Sequence, residues 1–263
     1  MPTFDTPGPV SARIEVVAGT VRVRATDRTD TVVTVSPRNP RSSADVTAAE
    51  QTLVAFTAGE LVVRAGGRPR LLFFGSGPEV EVDVALPSGS ALDVRVTAGE
   101  ITCAGRLGAV HLESKYGDLR LDQAGSLRAR TSSGDITASA VDGEAEVHTA
   151  YGDVRVGETG GPARLETGYG DIRVDRALGS AHGSTKYGEV RVGEAVRGSL
   201  VLETAYGDIE AGVREGTAAW LDINSGGGRL RNLLTEAQGP DGAVETVEIH
   251  ARTSYGDITV RRA

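Results

Sequence analysis

The residues with the clearest chemical potential in this chain form columns. An acid follows a glycine at regular intervals, as Asp118, Asp135, Asp153, Asp171, Glu189 and Asp208. All six tyrosines precede such a glycine: Tyr116, Tyr151, Tyr169, Tyr187, Tyr206 and Tyr255. Carboxylates stacked at strand spacing, roughly 5 Å, raise one another's pKa or share a hard cation such as calcium. Asp118, Asp135, Asp153, Asp171 and Asp208 are therefore the candidate metal ligands. The weightier expectation is that an Asp after Gly caps its turn by bonding nearby backbone and pairs with the arginine two residues on, which needs no metal. The tyrosine column has two readings as well: a strip for sugars or flat ligands, or rings that shield a corner and pack on each other, the second being favoured.

The remaining chemistry is sparse. His111, His148, His182 and His250 fall in different repeats and do not make a shared metal site. No Ser, His and Asp constellation, phosphate loop or metal-ligand pair of recognised spacing occurs. Parallel β-helix sugar lyases and hydrolases concentrate acids or a basic residue in one distinctive repeat, whereas here the acids recur in every one. The chain reads as a non-enzyme without a cofactor.

The elements that position these columns follow from the period. With Ser133-Gly134-Asp135 admitted to the series, the marker glycines are Gly117, Gly134, Gly152, Gly170, Gly188 and Gly207, spaced 17, 18, 18, 18 and 19 residues apart. Two residues after each marker stand Leu119, Ile136, Val154, Ile172, Val190 and Ile209, and four after it Leu121, Ala138, Val156, Val174, Val192 and Ala211. Arg120, Arg155, Arg173 and Arg191 lie between them, an alternation that marks a strand with one face buried. A second glycine lies nine before each marker, from Gly108 to Gly198, and apolar residues such as Ala145 and Val147 fall seven and five before it. Each repeat thus holds two short strands and two glycine turns.

A repeat this short cannot bury its own apolar face, so stacking must supply the core. The expected fold is all-β, a parallel β-solenoid (single-stranded β-helix) of about 18-residue coils. A column of Ser114, Thr131, Thr149, Thr167, Thr185 and Thr204 shares the inward parity, and its hydroxyls are expected to bond along the stack. A hexapeptide helix is excluded because Gly160 and Glu166 occupy the positions six and twelve after Val154. The calcium-binding nonapeptide pattern needs Gly-Gly-x-Gly-x-Asp, which is absent.

Residues 1–97 carry a looser motif, with Gly19, Gly59 and Gly99 spaced 40 apart and longer alternating runs. They are expected to form an amino-terminal β cap or small sandwich, of wider coils or antiparallel hairpins, ahead of solenoid repeats over 98–263. Pro37 to Ser43 reads as a loop. Trp220 is expected to plug the core near the far end, a final coil over Val247 to Val260 closes the stack, and Arg261-Arg262 keep its edge soluble.

Composition bounds the partners. The chain has 263 residues, of which 39% are hydrophobic, enough for a sizeable core, and 4% are aromatic, as suits a narrow interior. A net charge of -8 argues against a nucleic-acid partner. Cys103 is the only cysteine, which fits a reducing compartment. No run reaches the roughly 18 apolar residues of a membrane span, and Met1 to Val10 shows no secretion signal. A cytoplasmic location is the expectation. Leu71, Leu72, Phe73 and Phe74, set between Gly and Pro, either fold over an open end of the core or form a patch for a partner or self-association.

The tandem Gly-Asp-aliphatic repeats, the Leu86-Pro87-Ser88-Gly89-Ser90 segment leading into them, and the closing Arg252-Thr253-Ser254-Tyr255-Gly256-Asp257-Ile258 resemble a widespread bacterial family of β-strand-repeat proteins of unknown function, catalogued as candidate adhesins. The resemblance covers nearly the whole chain and implies the fold and an adhesin-like display role, with no catalytic set to carry over. The leading functional expectation is a non-enzymatic interaction or scaffold protein presenting repeated faces to a protein or glycan. The alternatives are a carbohydrate-active β-helix enzyme and a self-assembling filament subunit.

Overall fold

The computed structural model describes residues 2–66, 77–234 and 245–263. Leu71 to Phe74 lie outside the described residues. Among those described the chain is all-β except for one short helix, and most strands pair in parallel. It divides into two compact units, Met1–Ser133 and Gly134–Ala263.

The first unit contains β1 (Thr3–Asp5), β2 (Ser11–Thr26), β3 (Asp30–Pro37), α1 (Ser43–Glu50), β4 (Leu53–Thr57), β5 (Glu60–Ala65), β6 (Val80–Pro87), β7 (Ala91–Ala98), β8 (Ile101–Tyr116) and β9 (Leu119–Ser133). The long strand β2 pairs in parallel with β5 and β7 along its first half and with β6 and β8 along its second. Antiparallel pairing is confined to β1 with β3, β3 with β6, and β4 with β5. Parallel stacking therefore already begins at Ser11, inside the region expected to cap it. The segment Pro37 to Ser43, expected to be a loop, leads directly into α1. The Ser42 hydroxyl accepts the Asp45 backbone N–H at 3.3 Å, a Ser-x-x-Asp start that satisfies a free donor of the first turn.

The second unit contains β10 (Ile136–Val141), β11 (Ala145–Tyr151), β12 (Val154–Thr159), β13 (Ala163–Tyr169), β14 (Ile172–Ala177), β15 (Ala181–Tyr187), β16 (Val190–Ala195), β17 (Gly198–Tyr206), β18 (Ile209–Val213), β19 (Thr217–Ser225), β20 (Leu230–Asn232), β21 (Glu245–Tyr255) and β22 (Ile258–Arg262). Strands alternate between two stacks. One runs β11, β13, β15, β17, β21, β19, and the other β10, β12, β14, β16, β18, β22, β20, parallel throughout. Register is column on column: Ile136, Val154, Ile172, Val190, Ile209 and Ile258 lie above one another, all at most 2% exposed. Burying each such side chain contributes about 1.5–3 kcal/mol, and because the period along a strand is two, a one-residue slip would turn the whole column outward.

The marker glycines set how close repeats approach. Gly152, Gly170, Gly188 and Gly207 have φ between 143° and 152°, where L side chains are strained. A Cβ built on any of them would fall inside van der Waals contact with the carbonyl oxygen of the marker glycine one repeat earlier. Two independent constraints therefore exclude every other residue. The threonine column bonds across repeats as expected, but to these glycine carbonyls and not hydroxyl to hydroxyl. Thr149, Thr167, Thr185 and Thr204 donate to Gly134, Gly152, Gly170 and Gly188 at 2.9–3.1 Å.

The far end differs from expectation in three respects. Trp220 is 65% exposed and plugs nothing, because its parity on β19 points away from the core side held by Leu221 and Ile223. The carboxy-terminal strands β21 and β22 do not close the stack: they lie between β17/β18 and β19/β20. Arg261 and Arg262 are pinned and do not form a free tail. Arg261 Nε lies 2.7 Å from Glu210 Oε1, and Arg262 Nη1 donates to the carbonyls of Arg214 and Thr217 at 2.9 Å.

The Gly152→Ala substitution is expected to destabilise the second unit by at least about 1–3 kcal/mol, the usual cost of backbone strain alone, with steric clash adding to it. Thermal unfolding followed by circular dichroism checks this. An Ala at Gly216, whose φ is also positive but where an added Cβ would meet open space, is expected to lower Tm less.

Candidate tyrosine ladder and flanking cleft

In-register pairing of β11, β13, β15, β17 and β21 places Tyr151, Tyr169, Tyr187, Tyr206 and Tyr255 in one line. Neighbouring ring centroids are 4.8–5.2 Å apart with interplanar angles of 5–8°. The rings therefore cover one another's faces, as the favoured reading expected. They are nonetheless between 46% and 60% exposed, so the strip offers solvent a row of ring edges and phenol hydroxyls. Stacking a sugar on a ring face is closed off within the row. The positive ring edges instead suit the face of another aromatic group in T-shaped contact.

The row ends at a glycine. In the last repeat Gly226-Gly227-Gly228 replaces Ser254-Tyr255-Gly256, and the Gly256 N–H donates to the Gly227 carbonyl at 3.1 Å, just as Gly207 donates to that of Tyr255. A Cβ on Gly227 would stand 3.2 Å from Cδ1 of Tyr255, so the backbone there lies against the ring. Tyr116, in the first unit, is 63% exposed and pairs in register with Ala98 and Ser133, so it has no ring on either side.

Beside the ladder the residue before each tyrosine is mostly small: Ala150, Gly168, Ala205 and Ser254. Where this floor meets the last repeats a cleft of 640 Å³ opens, lined among others by Ser184, Glu203, Asn224, Arg252 and Tyr255. Its size is that of a small-ligand or side-chain site. Arg252 Nη2 reaches Asp222 Oδ2 at 3.4 Å, as does His250 Nδ1 at 3.3 Å. His250 and then Arg252 hold the Asp222 carboxyl below the ordinary carboxylate range. The sequence singled out Tyr255 but not this cleft; the one signal was the small-residue column.

The acid column is structural in its contacts. Oδ1 of Asp135, Asp153, Asp171 and Asp208 accepts the backbone N–H of Asp153, Asp171, Glu189 and Asp257 in the next repeat, at 2.7–2.9 Å. The expected pairing with the arginine two residues on holds in part: Arg155 Nη2 lies 2.6 Å from Asp153 Oδ2 and Arg120 Nη2 lies 2.8 Å from Asp118 Oδ2, whereas Arg173 bonds Asp175 Oδ1 at 2.8 Å and not Asp171. Asp257 repeats the scheme with Arg229, whose backbone and then side-chain N–H groups lower its pKa. Among the described residues no group of three or more His, Cys, Asp and Glu side chains is disposed to hold a metal ion. The histidines are separated, and three pair with an acid on an adjacent strand: His111 with Asp93, His148 with Glu166, and His250 with Asp222, at 3.3–3.5 Å. Cys103 is buried, and that burial, with Asp122 nearby, pushes its thiol up to about 12, which leaves no thiolate at neutral pH. No described helix is long and apolar enough to cross a membrane.

Residues 12–182 match the family described as Toastrack DUF4097. No curated protein matches the chain. Among solved structures it is similar to a candidate adhesin from Bacteroides fragilis NCTC 9343, with 11% identity, 98% of this chain and 95% of that one covered, and a TM-score of 0.44. It is likewise similar to a candidate lipid binding protein from Parabacteroides distasonis ATCC 8503, with 11% identity, 100% and 95% covered, and a TM-score of 0.38. By its repeat, its glycine markers and the extent of the family match, the chain belongs to the Toastrack DUF4097 family, a family of unknown function.

Proposed function

We propose that this chain is a parallel β-solenoid of about 18-residue coils that works as a non-enzymatic, adhesin-like interaction or scaffold protein, its second unit binding a partner along the tyrosine ladder and the adjoining cleft. The observation that carries this reading is the ladder itself. Five rings are held at 4.8–5.2 Å on a rigid parallel stack and remain about half exposed. Rigid aromatic rows lose little conformational entropy when they bind, which is why tyrosine is favoured in recognition surfaces. Because ring edges and hydroxyls face outward, the partner that fits best is a protein bringing aromatic side chains and hydrogen-bond acceptors, ahead of a glycan that would need free ring faces.

The test is selection of ligands from a displayed peptide library and from a glycan array, followed by comparison with the Tyr169→Ala/Tyr187→Ala/Tyr206→Ala variant. Selected ligands are expected to bind the variant at least about tenfold more weakly, a loss of about 1.4 kcal/mol, while its circular dichroism is retained. Equal binding by the variant, or no ligand from either source, would count against the ladder as the recognition surface.

The acid column belongs to the scaffold in this reading. Its Oδ1 atoms are already engaged by backbone N–H groups, so millimolar calcium is expected to leave Tm unchanged; a rise with a saturating dose response would restore the column as a metal site.

A further inference from the structure

The position of the last two strands has a structural consequence. In chain order β19/β20 follows β17/β18, yet β21 and β22 lie between them, hydrogen-bonded on both sides. The flanking strands are in phase with each other through the inserted pair. Leu200 and Leu221 both face Ile249, Leu202 and Ile223 both face Ala251, Thr204 and Ser225 both face Thr253, and Ile209 and Leu230 both face Ile258. Inward residues therefore meet inward residues whether or not β21 and β22 are present, and β19/β20 has the register to stack directly on β17/β18.

Two arrangements of the same strands follow, one with the slot filled and one with it closed. During synthesis β19 and β20 emerge before β21 and β22, so the pair made last takes its place between strands made earlier. Whatever enters finds a complete set of partners: Val247, Ile249, Ala251, Ile258 and Val260 are at most 1% exposed once inserted, and Tyr255 completes the ladder. An identical segment from another molecule would make every one of these contacts.

We infer that residues 245–262 are an exchangeable insert and that a second copy of this chain supplies it in trans, giving carboxy-terminally swapped dimers. Exchange of an identical element leaves the contacts unchanged, so concentration decides between the two forms. The inference is independent of what the ladder binds, since Tyr255 occupies the same place in either form.

The experiment uses the full chain carrying Val201→Cys and His250→Cys. These residues are register partners on β17 and β21, at a separation a disulfide spans, and Cys103 is buried. The reduced protein is equilibrated at low and at high concentration in mild denaturant, returned to buffer, oxidised and run on a non-reducing gel. Filling of a molecule's own slot gives a cross-linked monomer, and filling by a neighbour gives a covalent dimer. The expected result is at least tenfold more covalent dimer from the concentrated sample, lost on reduction. Cross-linked monomer alone at every concentration would overturn the inference. The absence of any disulfide in a folded protein would overturn the β17 to β21 pairing on which it stands.

Discussion

The structure depends on backbone approaching backbone through the marker glycines. At Gly152, Gly170, Gly188 and Gly207 the carbonyl of one repeat occupies the space where a Cβ of the next would lie, and φ is positive at each. Repeats can then come together at ordinary strand spacing even at the corner, where side chains would hold them apart. Every other column inherits that spacing. The buried threonines satisfy the glycine carbonyls from inside, and the aspartates satisfy the following N–H groups from outside. The corner thus leaves few polar backbone groups without a partner in a place where neither helix nor ordinary ladder could supply one.

The tyrosine ladder is a product of the same geometry. Rings on consecutive repeats must sit about one strand spacing apart, close to the distance at which aromatic rings stack, so a tyrosine beside each glycine packs without further adjustment. Arginine and acid columns on the outer faces follow the same rule: Arg176 lies between Glu158 and Glu194, at 2.8 and 3.4 Å. Such exposed pairs each contribute little; charge alternates in this column, whereas Arg155, Arg173 and Arg191 stack directly on one another. The first unit obeys the rule less fully, since the register partners of Tyr116 are Ala98 and Ser133 and not tyrosines.

Much of this was legible because parallel in-register stacking turns sequence spacing into spatial neighbours. The inward aliphatic columns, the two strands per repeat and the backbone role of the aspartates could all be read from offsets around Gly117 to Gly207. What could not be read depended on order in space, which the repeat does not encode. Nothing in Val247 to Val260 distinguishes a closing repeat from an inserted one, because its residues match either neighbour. Trp220 looked like a plug by type, but its parity on β19 sends it outward. The cleft escaped notice because it is made of what is missing, small residues at Ala205, Ser254 and Gly226 beside large ones. The short helix has a local start signal in Ser42 and Asp45, just past the prolines at 37 and 40 that mark the loop.

Native-state hydrogen exchange tests the central claim most directly. If the glycine corners hold the repeats together, the amides of Gly152, Gly170 and Gly188, which donate to Tyr169, Tyr187 and Tyr206 at 2.9–3.0 Å, must exchange only when the second unit unfolds. Their opening free energies should equal those of strand amides such as Ile172 and Val190. Fast exchange at the glycines with protection retained in the strands would contradict the account and leave the apolar columns as the element that sets the stack.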